Sequence, residues 1–337
     1  MSAEASPTYS VVVPVFCEAV SLPELCSRIH AAFQRLGKDG AFEIVFVDDG
    51  STDETPEIIV ALARAHDFVR SVNLRRNCGK ALALMAGFRH ARGAVVITMD
   101  GDLQDKPEDI PALLAKLDEG FDLVNGWRTE REDSGFRKLG SRLYNATVKK
   151  ASGLALHDMN CGFKAYRSEL TASLCIYGQY HRYIPLQAAL AGFKVTEVPV
   201  ANDKRKYGHS KYRALRYEGL FDLLSMLFTH KYGLNPLHFF GVVGALVSLV
   251  SLSVVGFMVF EQALYWLGFG AAVPNRPLLA MALTGLSVGM VIFFTGFVCD
   301  FILHHQIRGS MASILELSIA SRTEAGGVRV KPTAPGQ

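Results

Sequence analysis

A chain of 337 residues that is 50% hydrophobic, with a mean hydropathy of +0.20, is more apolar than a wholly soluble enzyme needs to be. Its 35 Lys and Arg and 32 Asp and Glu are nevertheless too many for a protein that lives mainly in lipid, so a charged soluble domain joined to a short membrane part is expected. The net charge of +3 is too small to argue for nucleic acid, and abundant apolar residues without long low-complexity runs exclude fibrous and disordered classes. The first ten residues show no basic stretch followed by an apolar one, so no signal peptide is read there and the first domain is expected in the cytoplasm. From Tyr9 onward short apolar runs alternate with helical patterns. Strands are expected at Tyr9–Val15, Phe42–Asp48, Val69–Asn73, 94–99 and 122–125, all rich in Val, Ile and Phe. Between them, Ser21-Leu22-Pro23-Glu24 reads as a capping box that opens a helix closed by Gly37, and residues 52–65, 79–92 and 107–119 read as further helices. Such alternation predicts an α/β fold with a mostly parallel sheet.

Residues 127–150 are polar and basic. A strand is expected at 194–200, followed by a second basic run at 204–216. Residues 213–230 carry Leu215, Leu220, Leu223, Leu224 and Leu227 at helical spacing, which suits an amphipathic juxtamembrane helix. Residues 232–260 and 277–299 contain no Asp, Glu, Lys or Arg, and each exceeds the roughly 20 residues that span a bilayer. Lys231 and Arg308 flank the outer ends of the pair, whereas the loop at 261–276 carries one charge of each sign. The positive-inside rule then puts both termini in the cytoplasm, with the protein in the plasma or inner membrane. The tail after Ser310 is expected to fray. The six cysteines form no CxxC pair and no His cluster has zinc-ligand spacing, which argues against a disulfide framework or a zinc site.

Two acidic motifs follow strands directly. Asp48-Asp49-Gly50-Ser51 ends the second strand, where open parallel sheets bind ligands; it reads either as a ribose or base contact or as a turn with an Asp helix cap. Asp100-Gly101-Asp102-Leu103-Gln104 places two carboxylates at i and i+2, able to converge on one hard cation with the Gln oxygen as a third ligand. His157 beside Asp158 reads as a loop contact in preference to a catalytic pair.

Taken in order, Pro14-Val-Phe-Cys-Glu18, Asp48-Asp49-Gly50-Ser51, Asp100-Gly-Asp102-Leu-Gln104 and Arg205-Lys-Tyr-Gly-His-Ser-Lys211 resemble the motifs of family 2 glycosyltransferases with a GT-A fold. More narrowly, the chain resembles the polyprenyl-phosphate group that contains dolichol-phosphate mannose synthase and bactoprenol glucosyltransferase. The resemblance implies a Rossmann-like GT-A domain over 1–212, a juxtamembrane helix over 213–232, a transmembrane hairpin over 233–303 (spans at about 236–260 and 277–300) and a cytoplasmic tail over 304–337. It implies that Pro14, Phe16, Glu18, Val47, Asp49, Asp100, Gly101, Arg205 and Lys211 bind the nucleotide-sugar, UDP- or GDP-linked. It implies that Asp100, Asp102 and Gln104 hold Mg²⁺ or Mn²⁺, and that Arg128, Arg137 and Ser141 bind the acceptor phosphate. Catalysis would fall to Asp102, Arg128 and Asp158, the last matching a family position near the acceptor. Phe16 and Cys17 stand where the family more often has Tyr-Asn, and Gly101 where it has Ala, an exchange expected to change little.

The implied reaction is inverting transfer of a single sugar from a nucleotide-sugar to a polyprenyl phosphate, used in cell-envelope glycan or lipid modification. Its partners would be the two substrates and membrane lipid, without nucleic acid; relatives form oligomers in some cases, which leaves a homo-oligomer open. A processive polysaccharide synthase would need several more spans, so Gln179-Tyr-His-Arg182-Tyr183, which superficially resembles the QxxRW box of such enzymes, is expected to pack only locally. A non-catalytic scaffold retaining the fold is disfavoured by the intact Asp49, Asp100, Asp102 and Arg205.

Overall fold

The computed structural model describes residues 7–129, 154, 156–203, 225–229, 231–233, 235–269 and 276–326, the side chains of the last helix through 303. Two compact units divide between Leu224 and Ser225.

In the first unit, strands β1 (Tyr9–Val15), β2 (Phe42–Asp48), β3 (Val69–Asn73), β4 (Val95–Thr98), β5 (Leu123–Arg128), β6 (Lys164–Arg167) and β7 (Val195–Val200) form one sheet in the order β3-β2-β1-β4-β6-β5-β7. All pairs are parallel except those of β6, which runs antiparallel between β4 and β5. Every residue of β2 is buried, as expected of a strand covered by helices on both faces. Helices α1 (Leu22–Arg35) and α2 (Thr55–Ala65) connect the first strands, α3 (Lys80–His90) leads into β4, and a 3₁₀ turn at Pro107–Asp109 opens α4 (Ile110–Asp118). Two short helices, α5 (Ser168–Ser173) and α6 (Ile184–Leu190), follow β6, with a 3₁₀ turn at Tyr180–Tyr183 between them.

The strand order reverses beside β1, and there the register puts Val15 opposite Asp48 and Val12 opposite Thr98. The carboxyl ends of β1, β2 and β4 therefore open on one crevice, the place where such sheets bind ligands. One expectation fails nearby. Ser21 makes no side-chain cap to α1; its hydroxyl donates to the carbonyls of Glu18 (2.8 Å) and Gly101 (2.6 Å). Bonding to Gly101 ties the start of α1 to the loop after β4, a tertiary demand that outcompetes local capping.

The second unit contains α7 (Pro236–Trp266) and α8 (Arg276–Gly326). Both are long and apolar enough to cross a membrane, α8 over Pro277–Leu303. Small residues let them approach closely: a Cβ on Gly244 would lie 2.6 Å from the Gly289 carbonyl oxygen, and one on Gly285 would lie 2.4 Å from the Ser251 hydroxyl. Outward positions such as Leu249, Val250, Val291 and Phe301 are exposed apolar side chains. Helix α8 continues past Ser310, where a frayed tail is expected, because residues 311–322 hold no Gly or Pro to stop it.

Candidate active site

The crevice is built by loops that bond to one another. Cys17 donates its N–H to the Ser51 hydroxyl (2.8 Å) and Glu18 its N–H to Thr55 Oγ1 (2.9 Å), joining the turn after β1 to the turn after β2. Asp48 Oδ1 accepts from the Ser51 N–H (3.0 Å), which makes it the turn-forming acid of the pair. Both carboxylate oxygens of Asp49 accept backbone N–H groups, from Cys78 (2.7 Å) and Gly79 (2.9 Å), drawing the segment before α3 over the crevice. Burial lifts the Asp49 carboxyl above its usual range, and these two bonds pull it back only in part. Gly50 permits the closure: its φ is +71° and a Cβ there would stand 2.4 Å from the Arg76 carbonyl carbon.

Two non-glycine residues take left-handed backbone here, Cys17 (φ 53°) and Leu103 (φ 62°), each at a cost of about 1 kcal/mol. The fully buried side chain of Leu103 anchors the strained turn that presents Asp102 and Gln104. Asn tolerates this backbone better than Cys does, which gives a physical sense to the family's commoner residue at position 17.

Two cavities adjoin at this turn and share Lys80, Asp100 and Asp102. The first, about 220 Å³, is lined by Pro14, Phe16, Glu18, Asp49 and Gly101 among others. The second, about 270 Å³, is lined by Gln104, Arg128, Lys164, His181 and Arg182 among others. Val47 is fully buried, packed beneath α3, where a Cβ on Gly87 would lie 3.1 Å from it; it lines neither cavity. Gly101 is more constrained than its exchange for Ala suggests, since a Cβ would lie 2.8 Å from Val15 Cγ1. Arg137, Ser141, Arg205 and Lys211 lie outside the described residues.

Lys80 ion-pairs with Asp100. Burial works against the Asp100 charge, but Lys80, helped by Arg128 and Lys164, more than offsets it and holds the carboxyl below its usual range. Gly162 makes room for this carboxylate: a Cβ there would lie 2.8 and 2.9 Å from its two oxygens. Asp102 Oδ1 accepts the Gln104 N–H (3.2 Å), and the Gln104 amide nitrogen donates to the Asp203 carbonyl (3.4 Å), which turns the amide oxygen the other way. Two carboxylates and one amide oxygen are a hard-oxygen set. Among the described residues no cluster of three or more His, Cys, Asp and Glu side chains could hold a metal by itself. A cation here would complete its shell with water and substrate oxygens, the habit of Mg²⁺ at phosphate sites.

Asp105, 4% exposed, accepts the Asp100 N–H (3.0 Å). Burial first, and then the Asp100 charge, push its carboxyl up to about 7. In the unfolded chain the same group ionises near pH 4, so the folded state holds the extra proton in between, and stability falls as pH rises from about 4 to 7. Asp105→Asn keeps the acceptor oxygen and removes the titration. Its stability gain over wild type is expected to be larger at pH 8 than at pH 5 by about 2 kcal/mol. Denaturant titrations in EDTA at the two pH values measure this, and a gain independent of pH would contradict it.

Arg128 donates to both oxygens of Asp158, from Nε (2.6 Å) and from a terminal nitrogen (3.2 Å). Burial opposes the guanidinium charge, and the bonds to Asp158 more than restore it. His157 lies away from both cavities: it is 64% exposed, stacks on Trp127 at 4.2 Å between ring centroids, and pairs with Glu197. The Gln179–Tyr183 segment does more than pack locally. His181 and Arg182 line the second cavity, and burial, reinforced by the Lys80 and Arg182 charges, holds the His181 imidazole down to about 3, hence neutral. Lys80, Asp105 and Lys164 carry no motif signal; sheet register and loop closure bring them to the site.

The crevice of this α/β sheet thus carries a carboxylate turn between two adjoining cavities, the second lined by cationic side chains. Residues 10–174 match the family model described as glycosyl transferase family 2. Undecaprenyl-phosphate 4-deoxy-4-formamido-L-arabinose transferases from Salmonella paratyphi A and Salmonella dublin are 40% identical over 250 residues, covering 73% of this chain and 74% of theirs. Glucosyl-3-phosphoglycerate synthase from Mycobacterium tuberculosis, solved with phosphoglyceric acid, shares the fold with a TM-score of 0.51 at 23% identity, over 68% of this chain and 81% of that one. The chain belongs to glycosyl transferase family 2 and is a glycosyltransferase with a GT-A fold.

Proposed function

We propose that this enzyme transfers one sugar, with inversion, from a nucleotide-sugar to the phosphate of a membrane polyprenyl phosphate, making a lipid-linked sugar donor for cell-envelope modification. The observation that carries this reading is the pair of adjoining cavities meeting at Asp100 and Asp102, the second lined by cationic side chains. The relatives' substrate, undecaprenyl phosphate, supports it. The nucleotide lies in the first cavity, between Pro14, Phe16 and Asp49, and the acceptor phosphate in the second, beside Arg128. Arg137 and Ser141 are assigned to the acceptor phosphate, and Arg205 and Lys211 to the donor.

A phosphate monoester has its second pKa near 6, so at pH 7 the nucleophile is already largely dianionic and needs no strong base. The protein must hold two anionic partners in line against their repulsion, which Arg128 and Lys80 do by charge and geometry. Asp100, Asp102 and Gln104 would hold Mg²⁺ or Mn²⁺, which supplies neutralisation of the departing diphosphate. The neutral His181 can orient a hydroxyl without adding charge.

Purified full-length protein with a short polyprenyl phosphate, Mg²⁺ or Mn²⁺ and a panel of UDP- and GDP-sugars tests the reading. A polyprenyl-phosphate monosaccharide of inverted anomeric configuration is expected. Polymer formation, or hydrolysis without transfer, would reject it. The helices α7 and α8 are proposed to span the membrane as a hairpin with both ends cytoplasmic. In a chain cleared of its native cysteines, Leu267→Cys should react with an impermeant maleimide from outside the cell, and Glu316→Cys should not. Reaction of both from one side would reject the hairpin.

A further inference from the structure

Lys164 opens β6, in register with Thr98 of β4 and Asn125 of β5, and is only 3% exposed. An ammonium taken out of water needs an anion or several acceptors to offset its lost hydration. Two of the carboxylates near it are engaged elsewhere. Arg128 holds both oxygens of Asp158, and Lys80 pairs with Asp100. Among the described residues no hydrogen bond or salt bridge reaches the Lys164 ammonium. What it lines is the second cavity, together with Arg128 and Arg182. Burial pulls its pKa down to about 8, which leaves it mostly protonated at pH 7. His181, neutral, offers no compensation, and its Nδ1 is buried without a hydrogen-bond partner among the described residues. The Arg128 charge is balanced by Asp158. Those of Lys164 and Arg182 have no salt-bridge partner among the described residues; the Asp102 carboxylate, which also lines the cavity, offsets one of them, so a positive charge is left over. A phosphate monoester, an anion at pH 7, is attracted by that excess, whereas a neutral sugar alone would not be.

We propose that Lys164 is a substrate-contacting residue, donating from the cavity wall to the phosphate monoester of the acceptor, with Arg182 as a second contact. The proposal rests on the polyprenyl-phosphate reading above. Lys164 makes and breaks no bond; it fixes the attacking oxygen beside Arg128 and screens it from the donor's diphosphate, the other source of phosphate oxygens at this site.

Lys164→Met separates the sources. In detergent, with saturating donor and metal, its KM for a short polyprenyl phosphate is expected to rise about 10- to 100-fold, the loss of one charge-assisted hydrogen bond. Calorimetric Kd for the nucleoside diphosphate of the active donor should stay within about two-fold, a change well under the roughly 1.4 kcal/mol that marks a decade. Tm should hold or rise, because a buried charge with no ion-pair partner among the described residues is removed. Lys164→Arg should recover part of the acceptor affinity. An unchanged acceptor KM overturns the proposal. Equal weakening of nucleotide binding does too, by assigning Lys164 to the diphosphate, and so does a fall in Tm or failure to fold, by showing that the charge is paired within the fold. Wild-type protein that transfers to no polyprenyl phosphate would reject the function itself; a wild type that transfers, beside a Lys164→Met of normal acceptor KM, would reject this role alone.

Discussion

Asp102→Asn is expected to lower the transfer rate by about 10³-fold, roughly 4 kcal/mol of transition-state stabilisation, in a chain that folds and inserts normally. Asp102 is 6% exposed and lies where the two cavities meet. Asn matches its shape and can still accept the Gln104 N–H, so packing survives while one anionic oxygen ligand disappears from a set that has only two carboxylates. EDTA should produce the same loss in wild type, reversibly. Gly162→Ala provides an independent approach to the same site: its Cβ would crowd both oxygens of Asp100, and about 10²-fold loss is expected without any change in ligand chemistry. Full activity in chelator, or an Asp102→Asn enzyme within a few-fold of wild type, would remove the cation from the reaction.

The parts of this site that were legible in sequence share one property: they follow strands whose burial on both faces writes an unbroken apolar run. β1 and β2 lie at the residues the pattern predicts and β4 within them, and the acidic turns after β2 and β4 follow from them. β6 was not legible. Its four residues, Lys-Ala-Tyr-Arg, offer neither an apolar run nor a clean alternation, and the strand is specified by pairing with β4 and β5 on either side. Lys164 comes to the cavity with it. The same limit applies to His181 and Arg182: their segment stood out in sequence but was expected to pack only locally, and it lies on a 3₁₀ turn far along the chain from Asp100. Sequence showed which acids could act together because they are neighbours at i and i+2. Apart from Arg128, which the family resemblance supplied, it did not show the cations that line the second cavity with those acids, because they meet the acids only through sheet register and loop closure.

Arg128→Ala should reduce kcat/KM for polyprenyl phosphate by about 10³-fold while leaving the calorimetric Kd for the nucleotide near wild type, because its guanidinium lines the second cavity and not the first. Arg128→Lys should recover about ten-fold of that loss and no more, since an ammonium keeps the charge but cannot grip Asp158 with two nitrogens while presenting others to a phosphate. Asp158 decides between two roles. Both its oxygens are occupied by Arg128, which suits a residue that orients the guanidinium, whereas a general base would need an oxygen turned to the nucleophile. On the orienting reading, Asp158→Asn costs about 10- to 100-fold, less than Arg128→Ala. The double replacement Arg128→Ala with Asp158→Asn is then no worse than Arg128→Ala alone, because the second change has nothing left to orient. The pH profile separates the roles again. Activity should rise through about pH 6 as the acceptor phosphate loses its second proton, and that limb should persist unchanged in Asp158→Asn. An Asp158→Asn enzyme as impaired as Arg128→Ala, with the acidic limb flattened, would instead make Asp158 the base and Arg128 its partner.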